Sequence, residues 1–173
     1  MKKIYALFAA AFLLGSTSAM AMDSHTLLTQ PERYRVIYAD NHEIAYADMD
    51  TLSGMATMDY PGSLENMNFT MYVETYKSSP SAFDFSRGNL VSHIRKFQVQ
   101  LFGNKQAQTY GMEKTLSAMY DSQGNKQEIY SSIADIVKNR KIAADAKTLF
   151  LNLDHQSRIP APNPQEQRPV AVK

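Results

Sequence analysis

Methionines are concentrated in one part of the chain, and their thioether sulfurs are the first groups in this sequence that could do chemistry. Met49, Met55 and Met58 follow one another closely, with Met67 and Met71 just behind. Because thioethers suit Cu(I), this pattern raises the hypothesis of a metal site on Met49, Met55 and Met58, in a copper or small-ligand carrier. Methionine also fills irregular gaps in apolar cores, which is the other interpretation of the same residues.

The other reactive side chains lack the spacings that are typical of catalytic or metal sites. None of the four histidines, His25, His42, His93 and His155, is followed by a metal-ligand partner two or four positions later. The serines match no nucleophile motif, and no glycine-rich phosphate loop occurs. Asp40, Asp48 and Asp50 resemble a carboxylate cluster, but Asp at strand ends also caps turns. The sequence therefore predicts neither an enzyme nor a resident cofactor.

Composition removes further classes of function. The 173 residues include no cysteine, which excludes disulfides, thiolate chemistry and cysteine-based zinc sites. Eighteen basic side chains almost balance 17 acidic ones. Nucleic acids and anionic membranes require concentrated Lys and Arg, so neither is an expected partner.

Residues 1–21 have the three parts of a secretory signal peptide. Lys2 and Lys3 give a positive start, residues 4–14 are apolar and uncharged, and Ala19-Met20-Ala21 is a small-x-small cleavage pattern. The apolar run is shorter than the roughly 20 residues that span a bilayer, so no integral membrane segment is expected after cleavage. Ser16 stands where a lipoprotein has its cysteine. We therefore expect export to the periplasm, the cell surface or the exterior, without a lipid anchor.

Alternating apolar residues beyond a loose leader at 22–32 predict strands. Segments 34–38 and 43–48 form a hairpin around Asp40-Asn41. Segment 68–76 places Phe69, Met71 and Val73 on one face and Thr70, Tyr72 and Glu74 on the other. The next strand has Val91, Phe97, Val99 and Leu101 in phase, then a turn at Gly103-Asn104. The return strand, 106–120, has Tyr110, Met112, Leu116, Ala118 and Tyr120 in phase, with Gly111 as a candidate bulge. A short last strand is predicted at 128–130.

The apolar period changes near the C-terminus. Five residues share one stripe of a helix over about 136–153: Ile142, Ala146, Leu149, Phe150 and Leu153. A helix of this length needs a surface to dock on, and the sheet supplies it. The proline-containing residues 155–173 are expected to form a disordered tail. The predicted fold class is α+β, an antiparallel sheet of about five to six strands with a C-terminal helix packed on it.

Three segments together resemble the surface-adhesin protein E-like family of small exported bacterial domains. Ile44-Ala45-Tyr46-Ala47-Asp48 followed by Thr51-Leu52 is similar to its early strand, Tyr120-Asp121-Ser122-Gln123-Gly124 to its Tyr-Asp-x-x-Gly turn, and residues 136–153 to its terminal helix. The resemblance covers about 34–154 and identifies 33–154 as the domain. It implies attachment to host or matrix surfaces. Family members often carry two cysteines and a lipid anchor, which this sequence lacks.

These observations lead to the hypothesis of an exported, non-enzymatic binding protein that recognises a protein partner through exposed aromatic side chains. Tyr72 and Tyr76 are the candidate binding residues, because they point away from the Phe69 face and tyrosine is favoured at interfaces. The alternative is that both rings cover a second packed sheet. Pairing of an edge strand with a second copy would give a homodimer.

Overall fold

The computed structural model describes residues 22–54, 65–77, 90–129 and 142–160. They form one six-stranded antiparallel sheet in which neighbours in sequence are neighbours in space. The strands are β1 (Tyr34–Ala39), β2 (Glu43–Ser53), β3 (Glu65–Tyr76), β4 (Val91–Asn104), β5 (Thr109–Asp121) and β6 (Lys126–Gln127). Helix α1 (Ser24–Thr29) precedes the sheet and α2 (Ala146–Arg158) follows it. The predicted fold class is confirmed.

Helix α2 lies on one face of the sheet, called the α2 face below. Asp145 caps its first turn by accepting a hydrogen bond from the Thr148 backbone N–H, at 2.7 Å. Leu149, Phe150 and Leu153 are fully buried against the alternate residues of β3 and β4, including Phe69 and Phe97. The predicted stripe therefore docks on the sheet. Its helix begins later than expected, at Ala146, and Ile142 is buried in the segment before it.

The opposite face is rich in tyrosine and is called the tyrosine face. Its buried residues are Tyr34, Ile44, Tyr46, Tyr72, Tyr76, Val91, Ile94, Ala118 and Tyr120, packed with Met22 and Leu27 from the N-terminal segment. The prediction of a loose leader at 22–32 is therefore wrong, because Asp23 caps α1 and Leu27 is only 1% exposed. The predicted tail at 155–173 also starts too early, since α2 continues to Arg158. Residues 161–173 lie outside the described part.

Two irregularities in strand pairing change which face some residues occupy. The register shifts between Thr75 and Tyr76, so Val91 lies on the tyrosine face instead of sharing a face with Phe97. A second shift between Lys96 and Phe97 leaves Ser117 as the extra residue of β5. Ala118 and Tyr120 consequently lie on the tyrosine face, and the predicted bulge at Gly111 is wrong.

Gly103 is not part of the β4–β5 turn. It lies within β4, where an added Cβ would come 2.5 Å from the ring of Phe150. The turn is formed by residues 105–108, with Asn104 Oδ1 accepting a hydrogen bond from the Ala107 N–H and Gln108 at a φ of 53°. The glycine is therefore explained by the close approach of α2. The short last strand also lies earlier than predicted, at Lys126–Gln127.

A buried ion pair fastens the segment before α2 to the sheet. Glu43 Oε2 accepts a hydrogen bond from Arg95 at 3.0 Å, and Glu43 Oε1 accepts one from the Ala143 N–H at 2.6 Å. Both side chains are buried on the α2 face. Burial lowers the pKa of Arg95, and the charge and hydrogen bond of Glu43 act in the opposite direction. Neither helix within the described ranges is long and apolar enough to cross a membrane.

Candidate functional site

Five tyrosines from four strands meet on the tyrosine face. Tyr46 on β2 stands directly opposite Tyr72 on β3, and the ring of Tyr34 meets that of Tyr72 edge-on, with centroids 5.7 Å apart. Tyr76 and Tyr120 are buried in the same cluster. Period-two alternation brings these rings to one side, because the intervening residues of each strand face α2.

Glu74 lies in the middle of this face and is 0% exposed. Its Oε2 accepts hydrogen bonds from the hydroxyl of Tyr76 at 2.6 Å and from the hydroxyl of Tyr46 at 3.2 Å. Its Oε1 has no hydrogen-bond partner. A buried carboxyl oxygen without a hydrogen-bond partner is energetically costly.

Three other phenols of the tyrosine face are kept in their protonated, donor form. Burial is the main cause that raises the pKa of Tyr72, and the neighbouring Tyr34, Asp48 and Tyr120 add to it. Burial also raises the pKa of Tyr120 and is the main cause that raises the pKa of Tyr34. Protonated phenols present hydrogen-bond donors and neutral aromatic rings at neutral pH.

Tyr72 and Tyr76 occupy the predicted face but not the predicted environment. They are 4% and 6% exposed, so the expectation of exposed binding rings is wrong. The described residues that pack on this side of the sheet are Met22 and Leu27 of the N-terminal segment, not a second sheet as the alternative predicted. Sequence reasoning did not single out Glu74. The available signal was an acid flanked at i−2 and i+2 by tyrosines on a strand whose other face is apolar.

The structure describes only some of the methionines on which the hypothesis of a metal site rests. Met49 packs against the core of the α2 face, and Met67 and Met71 are buried in that core. Met55 and Met58 lie outside the described residues. Over the four described ranges, no three His, Asp or Glu side chains are placed to hold a metal ion together. Copper binding by Met49, Met55 and Met58 stays a prediction, and titration of the purified chain with Cu(I) is its test.

The three candidate carboxylates have local structural partners. Asp40 Oδ1 accepts hydrogen bonds from the N–H groups of His42 and Glu43, which confirms the strand-end interpretation at this turn. Asp48 is held by Arg33 through two hydrogen bonds of 2.9 Å. Asp50 lies 3.2 Å from the Arg33 Nε. Arg33 thus links two of the three carboxylates.

The two edges of the sheet differ. At β1 the backbone bulges at Ile37, whose carbonyl accepts a 2.6 Å hydrogen bond from the Asn152 side chain of α2. Arg35 donates to the α2 carbonyls of Gln156 and Ile159. These contacts block β1 against further strand pairing.

On the other side of the sheet, the first ten residues of β5, called the bare stretch below, have no strand partner on their outer edge among the described residues. Within the described ranges its outer side pairs only at Met119 and Tyr120, with β6. Residues 109–118 pair with β4 alone. An open groove of about 540 Å³ lies at the end of this stretch, lined by Ser117, Lys126, Gln127, Glu128 and Ile129.

Lys114 lies midway along that bare stretch. Its aliphatic stem is half-buried on the α2 face, and burial is the main cause that lowers its pKa. The charge of Arg95 lowers it further, while Glu43 acts in the opposite direction. Glu43 already bonds Arg95 and the Ala143 N–H, so the second cation is weakly compensated.

Comparison of this chain with family models, with curated proteins and with solved structures finds no match.

Proposed function

We propose that this chain is an exported, non-enzymatic binding protein that takes up an extended segment of a partner protein as an additional strand beside β5. The observation that carries the proposal is the ten-residue stretch 109–118, which pairs on one side only among the described residues. Such a stretch offers regularly spaced backbone donors and acceptors to an incoming strand. The resemblance to the surface-adhesin protein E-like family supports the same class of function.

Side chains along β5 define what the partner strand should carry. Glu113, Thr115 and Ser117 are exposed on one face, and Lys114 and Leu116 are half-buried on the other. Directly opposite residues on paired strands lie on the same face. An acidic residue opposite Lys114 would therefore compensate its charge, and an apolar neighbour would cover Leu116.

The same charges disfavour a second copy of this chain as the partner. Antiparallel pairing of two β5 strands about Lys114 would set Lys114 against Lys114, and pairing about Glu113 would set two glutamates together. Like charges directly opposite destabilise a strand pair. We therefore place the partner segment in a different protein, and a stable dimer in light scattering would contradict this choice.

The experiment uses a short synthetic peptide of alternating valine and threonine with a central glutamate. We expect its addition to shift the backbone amide NMR signals of residues 109–118 and to slow their hydrogen exchange. A matched peptide with a central lysine should bind about 5- to 10-fold more weakly, because one charge contact of about 0.5 to 0.7 kcal/mol is reversed in sign. The variant Lys114→Glu should invert this preference, and Lys114→Met should abolish it.

Shifts outside β5, or equal binding of both peptides to the unaltered chain, would contradict the proposal.

Protease shaving of intact cells, followed by fractionation, tests whether outside partners can reach the protein. We expect the chain in the envelope or outside the cell, and recovery only with the cytoplasmic fraction would contradict export.

A further inference from the structure

The tyrosine face holds two buried polar atoms that have no hydrogen-bond partner. One is Oε1 of Glu74 in the centre of the sheet, and the other is Oγ of Ser24 on α1, the helix that covers this face. Buried polar atoms in native proteins are nearly always paired. Two exceptions on one face and its cover therefore indicate that this region pairs with something other than its own side chains.

The geometry at Glu74 identifies what is missing. Both phenols donate to the same oxygen, Oε2, at 2.6 Å from Tyr76 and 3.2 Å from Tyr46. Oε2 therefore accepts two hydrogen bonds, whereas Oε1 accepts none. In the described part of the chain no Lys or Arg forms an ion pair with Glu74.

The surroundings favour a donor that carries positive charge. Arg33, whose guanidinium lies over the ring of Tyr34, is already held by Asp48. The remaining wall consists of tyrosine rings and aliphatic side chains, among them Ile44 and Ile94. Tyrosine ring faces attract cations, and an unpaired buried carboxylate gains most from one.

We propose that the tyrosine face binds a small organic ammonium ion, with an ammonium N–H donating to Glu74 Oε1 and the alkyl part lying among the tyrosine rings. The Ser24 hydroxyl supplies a second acceptor from the cover. This is a site for a small amine, separate from the strand-addition edge at residues 109–118.

Access requires α1 to move, and its structure allows this. The helix has six residues, too few to be stable alone. Its buried residues are Ser24 and Leu27, and it is joined to β1 through the Gln30 carbonyl, which accepts from the N–H groups of Arg33 and Tyr34. Movement of α1 would separate Leu27 from this face without breaking any strand pair of the described sheet.

The test titrates the chain, from residue 22 onward, with n-butylammonium chloride and separately with n-butanol, which has the same alkyl chain without the charge. Tyrosine side-chain NMR signals report the site. We expect butylammonium to shift the ring signals of Tyr46, Tyr72 and Tyr76 with a Kd in the millimolar range or tighter, and butanol to leave them unchanged. In Glu74→Gln, which keeps the side-chain shape, the affinity should fall by about 10- to 100-fold.

Glu128→Gln is the matched control, because it makes the same substitution at an exposed carboxyl group that is not part of the tyrosine face; it should bind as the unaltered chain does. No saturable ring shift up to about 10 mM butylammonium, or equal shifts with butanol, would overturn the proposal. If Glu74→Gln does not fold, the comparison of the two probes on the unaltered chain still decides. Unchanged affinity in a folded Glu74→Gln would also overturn it.

Discussion

At Gly103 the absence of a side chain is what lets α2 sit close to the sheet. The nearest atoms to an added Cβ belong to the Phe150 ring, at 2.5 to 2.8 Å, closer than real Cβ contacts. Phe150 is fully buried and also meets the Tyr110 ring, with centroids 5.4 Å apart. The ring therefore has no free space into which it could retreat, and a methyl group here must displace the helix.

We expect Gly103→Ala to lower the free energy of unfolding by about 1–3 kcal/mol, because one methyl overpacks the contact between β4 and α2. Denaturant unfolding followed by circular dichroism measures this change. Gly111→Ala is the control, since its added Cβ would be 3.7 Å from Phe102, an ordinary contact. That variant should stay within about 0.5 kcal/mol of the unaltered chain, and equal losses in both variants would refute the packing argument.

At the scale of elements, one carboxylate joins α2 to the end of the β4–β5 hairpin. Asp154 accepts hydrogen bonds from Lys105 at 3.0 Å and from Arg158, one helical turn later, at 2.8 Å. Burial by itself would raise the pKa of Asp154, but the hydrogen bonds and charges of these two cations prevail and lower it. The ionised form is thus stabilised by folding.

A carboxyl whose pKa is lower in the folded chain adds stability above its unfolded pKa, and this stability is lost as the pH falls through the folded value. We expect Asp154→Asn to cost about 1 kcal/mol at pH 7, as a partly exposed ion-pair network does. The difference from the unaltered chain should shrink below about pH 4 and vanish at more acidic pH. Denaturant unfolding across this range measures it, and a difference independent of pH would contradict the assignment.

Sequence patterns predicted β1 to β5 and the buried stripe of α2, because period two and period 3.6 are properties of single segments. They failed where pairing between segments decides. The bulge that leaves Ser117 unpaired moves Ala118 and Tyr120 to the other face, and no feature within β5 announces it. The pair Gly103-Asn104 predicted a turn, but Gly103 is required by its close contact with the ring of Phe150, 47 positions later in the sequence. No local pattern reveals such a contact. Tyr72 was placed on its correct face, but its burial depends on α1, a helix too short to show a period.

Across the whole molecule, the two faces of the sheet have covers of unequal strength. Helix α2 has 13 residues and contributes three fully buried side chains to the core. Helix α1 has six residues and adds Leu27 as its one buried apolar side chain. The free energy of local opening should therefore be small at α1, and at α2 it should approach the global free energy of unfolding.

Hydrogen exchange by mass spectrometry tests this difference. In Leu27→Ala the amides of residues 24–29 should exchange much faster, while those of β2 to β4 keep their protection. Leu149→Ala removes a fully buried side chain of the α2 face and should cost about 2–5 kcal/mol, which accelerates exchange throughout the sheet. Uniform acceleration in Leu27→Ala would show that α1 belongs to the cooperative core.

The order of the strands has a consequence for a chain that emerges from a channel with its N-terminus first. Each strand can pair with the preceding strand as soon as it emerges, so the hairpins can form one after another through contacts that are short in sequence. The α2 residues that cover the apolar face of the sheet emerge after all six strands; they are Leu149, Phe150 and Leu153. Until then the partly formed sheet exposes this apolar face to water, and during this interval the chain most needs a chaperone.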